Sequence, residues 1–130
     1  MAKLIHAMVR VRDLDRSVAF YQKAFGLQES HRLEFPSFTL LYLREPESGF
    51  EIELTWNKGQ AEPYTHGSGY GHMAFCVADL NAQRELLLGL GCAAGDIKGL
   101  NAPGGSARFF FVSDPDGYKI EVLERAGHYV

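Results

Sequence analysis

The amino-acid sequence predicts an α+β fold made of two βαβββ modules, each built on a mixed sheet. One ground is an internal repeat. His6-x4-Val11-x-Asp13-Leu14 returns 66 positions later as His72-x4-Val77-x-Asp79-Leu80, and Ile52-Glu53-Leu54 returns 68 positions later as Ile120-Glu121-Val122. A second is periodicity: in each half a strand-like alternation passes into a helical pattern and then into more strand-like runs. A third is punctuation, with glycines closing the helical patterns and Asp114-Pro115-Asp116-Gly117 forming a turn with proline at its second position.

The elements follow in order. Leu4 to Arg12 alternates, with Val9 and Val11 opposite His6, Met8 and Arg10. Asp13 is an N-cap, and Leu14, Val18, Tyr21 and Phe25 fall at helical spacing before Gly26 stops the helix. Gln28 to Glu34, Phe38 to Arg44 and Phe50 to Trp56 read as strands, divided by Pro36-Ser37 and by Glu45-Pro46-Glu47-Ser48-Gly49. The modules span about 1–57 and 70–126, and the polar stretch 58–69 is the linker. Tyr70 to Val77 is a strand, and Asp79 caps a helix through Leu90 that Gly91 ends. Ala93 to Lys98 is a weak strand and Leu100 to Gly105 a loop. Arg108 to Ser113 and Tyr118 to Glu124 form the last hairpin.

Composition sets the class. The chain has 130 residues, 46% of them hydrophobic and 12% aromatic, the make-up of an ordinary folded protein. A module of ~65 residues buries too little surface to stand alone, so the halves are expected to depend on each other. No apolar run approaches the ~20 residues of a membrane span. The N-terminus enters a strand pattern directly, without the features of a signal peptide. A net charge of −3 offers nucleic acid no overall attraction. Cys76 and Cys92 lack CxxC spacing and sit among apolar residues, as reduced core thiols of a cytoplasmic protein would.

Strand parity points to chemistry. Glu51, Glu53 and Thr55 oppose Phe50, Ile52, Leu54 and Trp56, and Lys119, Glu121 and Leu123 oppose Tyr118, Ile120 and Val122. His6, Glu53, His72 and Glu121 thus all avoid the apolar face that packs under the helices. Two imidazoles and two carboxylates converging on one surface carry a burial cost of several kcal/mol unless a cation compensates it. The set is nitrogen and oxygen without thiolate, suited to Ni, Zn, Co, Mn or Fe(II). Glu51 is the nearest competing ligand, but Lys119 stands in its place in the second half. His66, in the linker, and His128, in the tail, have no such partners and are expected in solvent.

These segments together resemble the vicinal oxygen chelate superfamily and, within it, the glyoxalase I (lactoylglutathione lyase) family. The resemblance rests on Leu4 to Val11 with Asp13-Leu14-x-Arg16-Ser17-x2-Phe20-Tyr21, on Glu53-Leu54-Thr55-Trp56-Asn57, on Gly69-Tyr70-Gly71-His72, and on Asp114 to Glu121. It implies two curved mixed sheets and a divalent metal held by His6, Glu53, His72 and Glu121. The metal would be nickel or cobalt in short members, with zinc the alternative. It implies glutathione as thiol co-substrate, its glutamyl end contacted by Arg10 and Asn57. Ser68 and Ala107 stand where longer eukaryotic relatives carry basic residues, leaving Arg108 or Lys98 as substitutes.

The implied reaction is isomerisation of the methylglyoxal–glutathione hemithioacetal to S-lactoylglutathione through an enediolate, with Glu121 as principal base and Glu53 assisting. Two readings compete with it. One is another metal enzyme of the superfamily, an epimerase or a thiol-dependent resistance enzyme; the other is a metal-free small-molecule-binding module. Related dioxygenases and fosfomycin-modifying enzymes use two histidines and one glutamate, and related epimerases place glutamine at the fourth-strand position, so Glu53 favours glyoxalase I. Members of this size commonly form homodimers with metal sites at the subunit interface. Met8, Phe110 and Leu123, read as apolar residues beside the polar site, would need such cover.

Overall fold

Asp13 and Asp79 start two helices in the same way. Each has extended backbone and accepts a hydrogen bond from the amide three residues on, Arg16 N at 3.1 Å and Ala82 N at 2.9 Å. Such a cap is worth about 1 kcal/mol. A computed structural model describes residues 1–130. In it the chain divides into two units, Met1–Thr65 and His66–Val130.

The first unit contains β1 (His6–Val11), α1 (Leu14–Phe25), β2 (Gln28–Glu34), β3 (Phe38–Arg44) and β4 (Glu51–Asn57). Its sheet has the order β1-β4-β3-β2, with β1 and β4 parallel and the other pairs antiparallel. The second unit contains β5 (Met73–Val77), α2 (Leu80–Gly89), β6 (Lys98–Ala102), β7 (Gly105–Ser113) and β8 (Lys119–Glu124), in the order β5-β8-β7-β6. Each module is βαβββ, and each places its first and last strands side by side.

Packing follows the alternation. Val9, Val11, Leu41, Leu43, Ile52 and Leu54 are buried in the first unit. Removing one such side chain from water contributes about 2 kcal/mol. The buried stripe of α1 is Ser17, Tyr21 and Ala24, which corrects the expected face of Leu14, Val18, Tyr21 and Phe25. Leu14, Val18 and Phe25 flank that stripe, half-buried. Gly26 ends α1 in the left-handed region at φ 71°, its N–H bonded to Gln22 O.

Two turns set the registers on which the site depends. The Glu45 carboxylate accepts from Glu47 N at 2.8 Å and Ser48 N at 2.6 Å, so Tyr42 faces Glu53 across β3 and β4. The buried Asp114 Oδ1 accepts from Asp116 N and Tyr118 N, both at 2.9 Å. It locks the β7–β8 hairpin so that Phe111 faces Glu121.

The sixth strand differs from expectation. Ala93 to Ile97 is not a strand, and β6 runs from Lys98 to Ala102, taking in residues 100–102 that read as loop from sequence. Ala102 pairs with Gly105 in a tight reversal, and Gly105 adopts φ 141°, a conformation open to glycine. His66 also departs from expectation. It is half-buried and stacks on Tyr118 at 4.2 Å and 10°, because a flat imidazole gains contact on a flat phenol face.

Candidate metal centre

In the parallel pair of β1 and β4, His6 lies opposite Glu51 and Met8 opposite Glu53. Residues two apart on a strand share a face, so His6 and Glu53 are diagonal neighbours across adjacent strands. His6 Nε2 stands 3.0 Å from Glu53 Oε2. Only 9% of Glu53 is exposed, so its carboxylate depends on protein partners rather than water. The second unit repeats the arrangement. His72 immediately precedes β5, Ala74 lies opposite Glu121, and His72 Nε2 is 3.8 Å from Glu121 Oε1.

The donors of the first pair suit a divalent ion. Metal–nitrogen and metal–oxygen bonds of about 2.1 Å meeting at a right angle hold their donors about 3.0 Å apart. His6 and Glu53 have that spacing. The His72–Glu121 pair is wider, so its longer separation must close by a small side-chain movement for both atoms to bind one ion. Among the described residues no group of three or more His, Cys, Asp or Glu is positioned to hold a metal. Within the first unit His6 meets Glu53, and within the second His72 meets Glu121.

The half-sites have a third member that sequence reading missed. Tyr42 is the register partner of Glu53 on β3, and Phe111 is the register partner of Glu121 on β7. Tyr42 meets the edge of His6 at 5.5 Å and 72°, and Phe111 meets His72 at 5.4 Å and 76°. Each half-site therefore spans three adjacent strands as imidazole, carboxylate and aromatic ring. The sequence signal was present, because an aromatic lies 11 residues before Glu53 and another 10 before Glu121. The two aromatics differ by a hydroxyl, which Tyr42 carries on the strand directly beside Glu53. Burial first, then the neighbouring Glu53 and the charge of Glu51 push the Tyr42 ionisation above the usual tyrosine range.

Glu51 is committed elsewhere. Its carboxylate accepts a hydrogen bond from Ser30 Oγ and lies 3.4 Å from Arg44 Nη2. These partners already engage the competing carboxylate. Arg10 lies opposite Thr55, and Asn57 is two residues further along β4. Arg10 and Asn57 thus repeat the diagonal relation of His6 and Glu53, four residues along both strands, about 13 Å away. Asn57 Nδ2 donates to Tyr64 Oη at 3.3 Å.

Several other expected residues stand differently. Arg108 is paired through Nη1 with Glu124 at 2.6 Å. Phe110 faces Val122, not Glu121, and is 1% exposed; the aromatic beside the site is Phe111. Leu123 is buried as well, leaving Met8, at 40%, as the exposed apolar member of the three. Cys76 and Cys92 are free and half-buried rather than in the core, and burial pushes the Cys92 thiol up.

Comparison with known proteins agrees with this architecture. The family model of the Glyoxalase/Bleomycin resistance protein/Dioxygenase superfamily matches residues 3–122. A lactoylglutathione lyase of Haemophilus influenzae is 43% identical over 94% of this chain and 92% of its own length. The crystal structure of glyoxalase I from Zea mays superposes with a TM-score of 0.82 at 33% identity, covering 96% of this chain. This chain spans 45% of the maize protein's length. The glyoxalase I of Leishmania major, described as trypanothione-dependent, has a TM-score of 0.77 at 33% identity, covering 95% of this chain and 87% of its own. A match of this extent, on a fold of two four-stranded mixed sheets with one helix each, shows that the chain belongs to the Glyoxalase/Bleomycin resistance protein/Dioxygenase superfamily and, within it, to the lactoylglutathione lyase (glyoxalase I) family.

Proposed function

We propose that the chain is a metal-dependent lactoylglutathione lyase, which isomerises the hemithioacetal of methylglyoxal and glutathione to S-lactoylglutathione. The observation that carries this reading is the duplicated half-site, one His–Glu pair at the paired first and last strands of each unit, with His72 just ahead of β5. His6, Glu53, His72 and Glu121 are the proposed ligands, for nickel or cobalt by preference and zinc otherwise. A divalent ion supplies Lewis-acid stabilisation of the negative charge that builds on the two neighbouring substrate oxygens.

The chain's own residues move the proton. Glu121 takes it from C1, and a carboxylate returns one to C2, so the reaction needs no oxidant or reductant. Glu53, in contact with His6 and Tyr42, serves mainly as ligand and can assist from the opposite face. Arg10 and Asn57 hold the glutamyl end of the thiol, remote from the reacting carbons. Glutathione is favoured as that thiol because the 43%-identical relative is named for it.

Assembly completes the site in this reading. Each unit supplies two ligands, so four require a first module facing a second module. We assign these modules to different chains of a homodimer, with two metal sites at the subunit interface. No helix is long and apolar enough to cross a membrane, and the free thiols fit a cytoplasmic enzyme.

The direct test is thioester formation, followed by absorbance, from methylglyoxal and glutathione with protein reconstituted with nickel or zinc. Metal-dependent turnover is expected, faster with nickel. Stoichiometric metal without thioester formation would point to another reaction of the superfamily, and absence of bound metal to a binding module.

A further inference from the structure

We propose that Tyr42 is a positioning residue, whose phenol donates a hydrogen bond to the Glu53 carboxylate and holds it as a fixed ligand, leaving Glu121 as the carboxylate free to move protons. The inference rests on the functional reading above, and it explains why two repeated glutamates would take different roles.

The half-sites are nearly alike in every other respect. In each, the glutamate has an aromatic as its register partner on the neighbouring antiparallel strand. In each, that ring meets the histidine edge-on, at 5.5 Å in the first and 5.4 Å in the second. Packing on the imidazoles therefore does not separate them. The carboxylates do differ. Glu53 lies 3.0 Å from its histidine and its side chain is 12% exposed; Glu121 lies 3.8 Å away and is 19% exposed. The chemical difference on the third strand is one oxygen, since Phe111 has no hydroxyl to offer.

A carboxylate oxygen has two acceptor directions, so a phenol and a metal can share the group. The phenol then fixes which oxygen points at the ion, as partners of metal ligands commonly do. Tyr42 is itself held in place, with His6 on one side and the His31 ring 6.1 Å away on β2. The register set by the Glu45 turn keeps it opposite Glu53. Glu121, facing a ring without a donor, keeps the rotational freedom that a base needs in order to reach a carbon-bound proton and withdraw.

The test uses the full chain as wild type, Tyr42→Phe, Phe111→Tyr and the double exchange. In metal-free protein at neutral pH, carbon-13 labelling of glutamate side chains reports each carboxyl group directly. Tyr42→Phe should shift the Glu53 carboxyl resonance and leave that of Glu121 in place. Calorimetric zinc affinity should fall about tenfold in the same variant, the lower end of the usual effect of removing a partner of a metal ligand. Phe111→Tyr should act differently. At saturating metal it should lower kcat severalfold with KM little changed, because the new donor restrains Glu121. An unmoved Glu53 resonance in Tyr42→Phe, or unchanged zinc affinity, would overturn the proposal. If the resonance and affinity change while wild type shows no lyase turnover, the functional reading falls and the hold of Tyr42 on Glu53 stands.

Discussion

His6 Nε2 and Glu53 Oε2 lie 3.0 Å apart across two parallel strands that are 40 residues apart in sequence at their nearest ends. An imidazole nitrogen and a carboxylate oxygen at that distance are spaced to bind one divalent ion between them. The first expectation follows. His6→Ala and His72→Ala should each lose most bound metal, whereas Glu51→Gln should retain it, because Glu51 is engaged by Ser30 and Arg44. Thermal melting checks the linkage. Metal at 100 times its Kd stabilises a folded site by about 2.7 kcal/mol, a gain that the histidine variants should lack. Equal metal content in wild type and both histidine variants would refute the assignment.

Glu121→Gln separates ligation from proton transfer. Glutamine still offers an oxygen to the metal but cannot accept the substrate proton. Turnover at full metal occupancy should fall by about 100-fold or more, the usual contribution of a positioned base. Turnover that merely tracks metal content would make Glu121 a ligand only.

Arg10 lies about 13 Å along the strand from His6, too far to touch the reacting carbons. Arg10→Ala should therefore raise KM about tenfold, equivalent to about 1.4 kcal/mol of ground-state binding, with kcat little altered. Steady-state kinetics with varied hemithioacetal measure this. An unchanged KM would show that the natural thiol is held elsewhere.

Asp114 bears on the site through the backbone. Its buried carboxylate accepts two amide N–H groups in the turn between β7 and β8. Asp114→Ala should cost about 2 kcal/mol in denaturant unfolding, since both donors lose their partner. It should also loosen the Phe111–Glu121 register and lower activity more than metal content. Unaltered stability would show that the hairpin register is set by strand pairing alone.

Subunit mixing tests the assembly. If sites form across chains, a heterodimer of His6→Ala and Glu121→Gln subunits holds one site with both defects and one with neither. An equal, fully exchanged mixture should then recover about a quarter of wild-type activity. No recovery after confirmed exchange would place each site within one chain.

The sequence by itself determined the two βαβββ modules, both N-caps and the pairing of His6 with Glu53 and His72 with Glu121 as candidates. The physical reason is local. Alternation decides which face a strand residue takes, an aspartate at a helix start satisfies a free amide, and a repeat marks equivalent positions in the two halves. The tertiary structure alone decided what strand pairing and side-chain contact decide. It buried α1 along Ser17, Tyr21 and Ala24 rather than along its largest apolar side chains. It started β6 at Lys98, because the Ala102–Gly105 reversal sets where that hairpin can pair. It put Phe111 rather than Phe110 beside Glu121 and tied Glu51 to Arg44 and Ser30. It also revealed Tyr42 as the neighbour of Glu53, a contact made across strands by residues 11 positions apart in sequence. Register is a property of two strands at once, and neither strand's own pattern contains it.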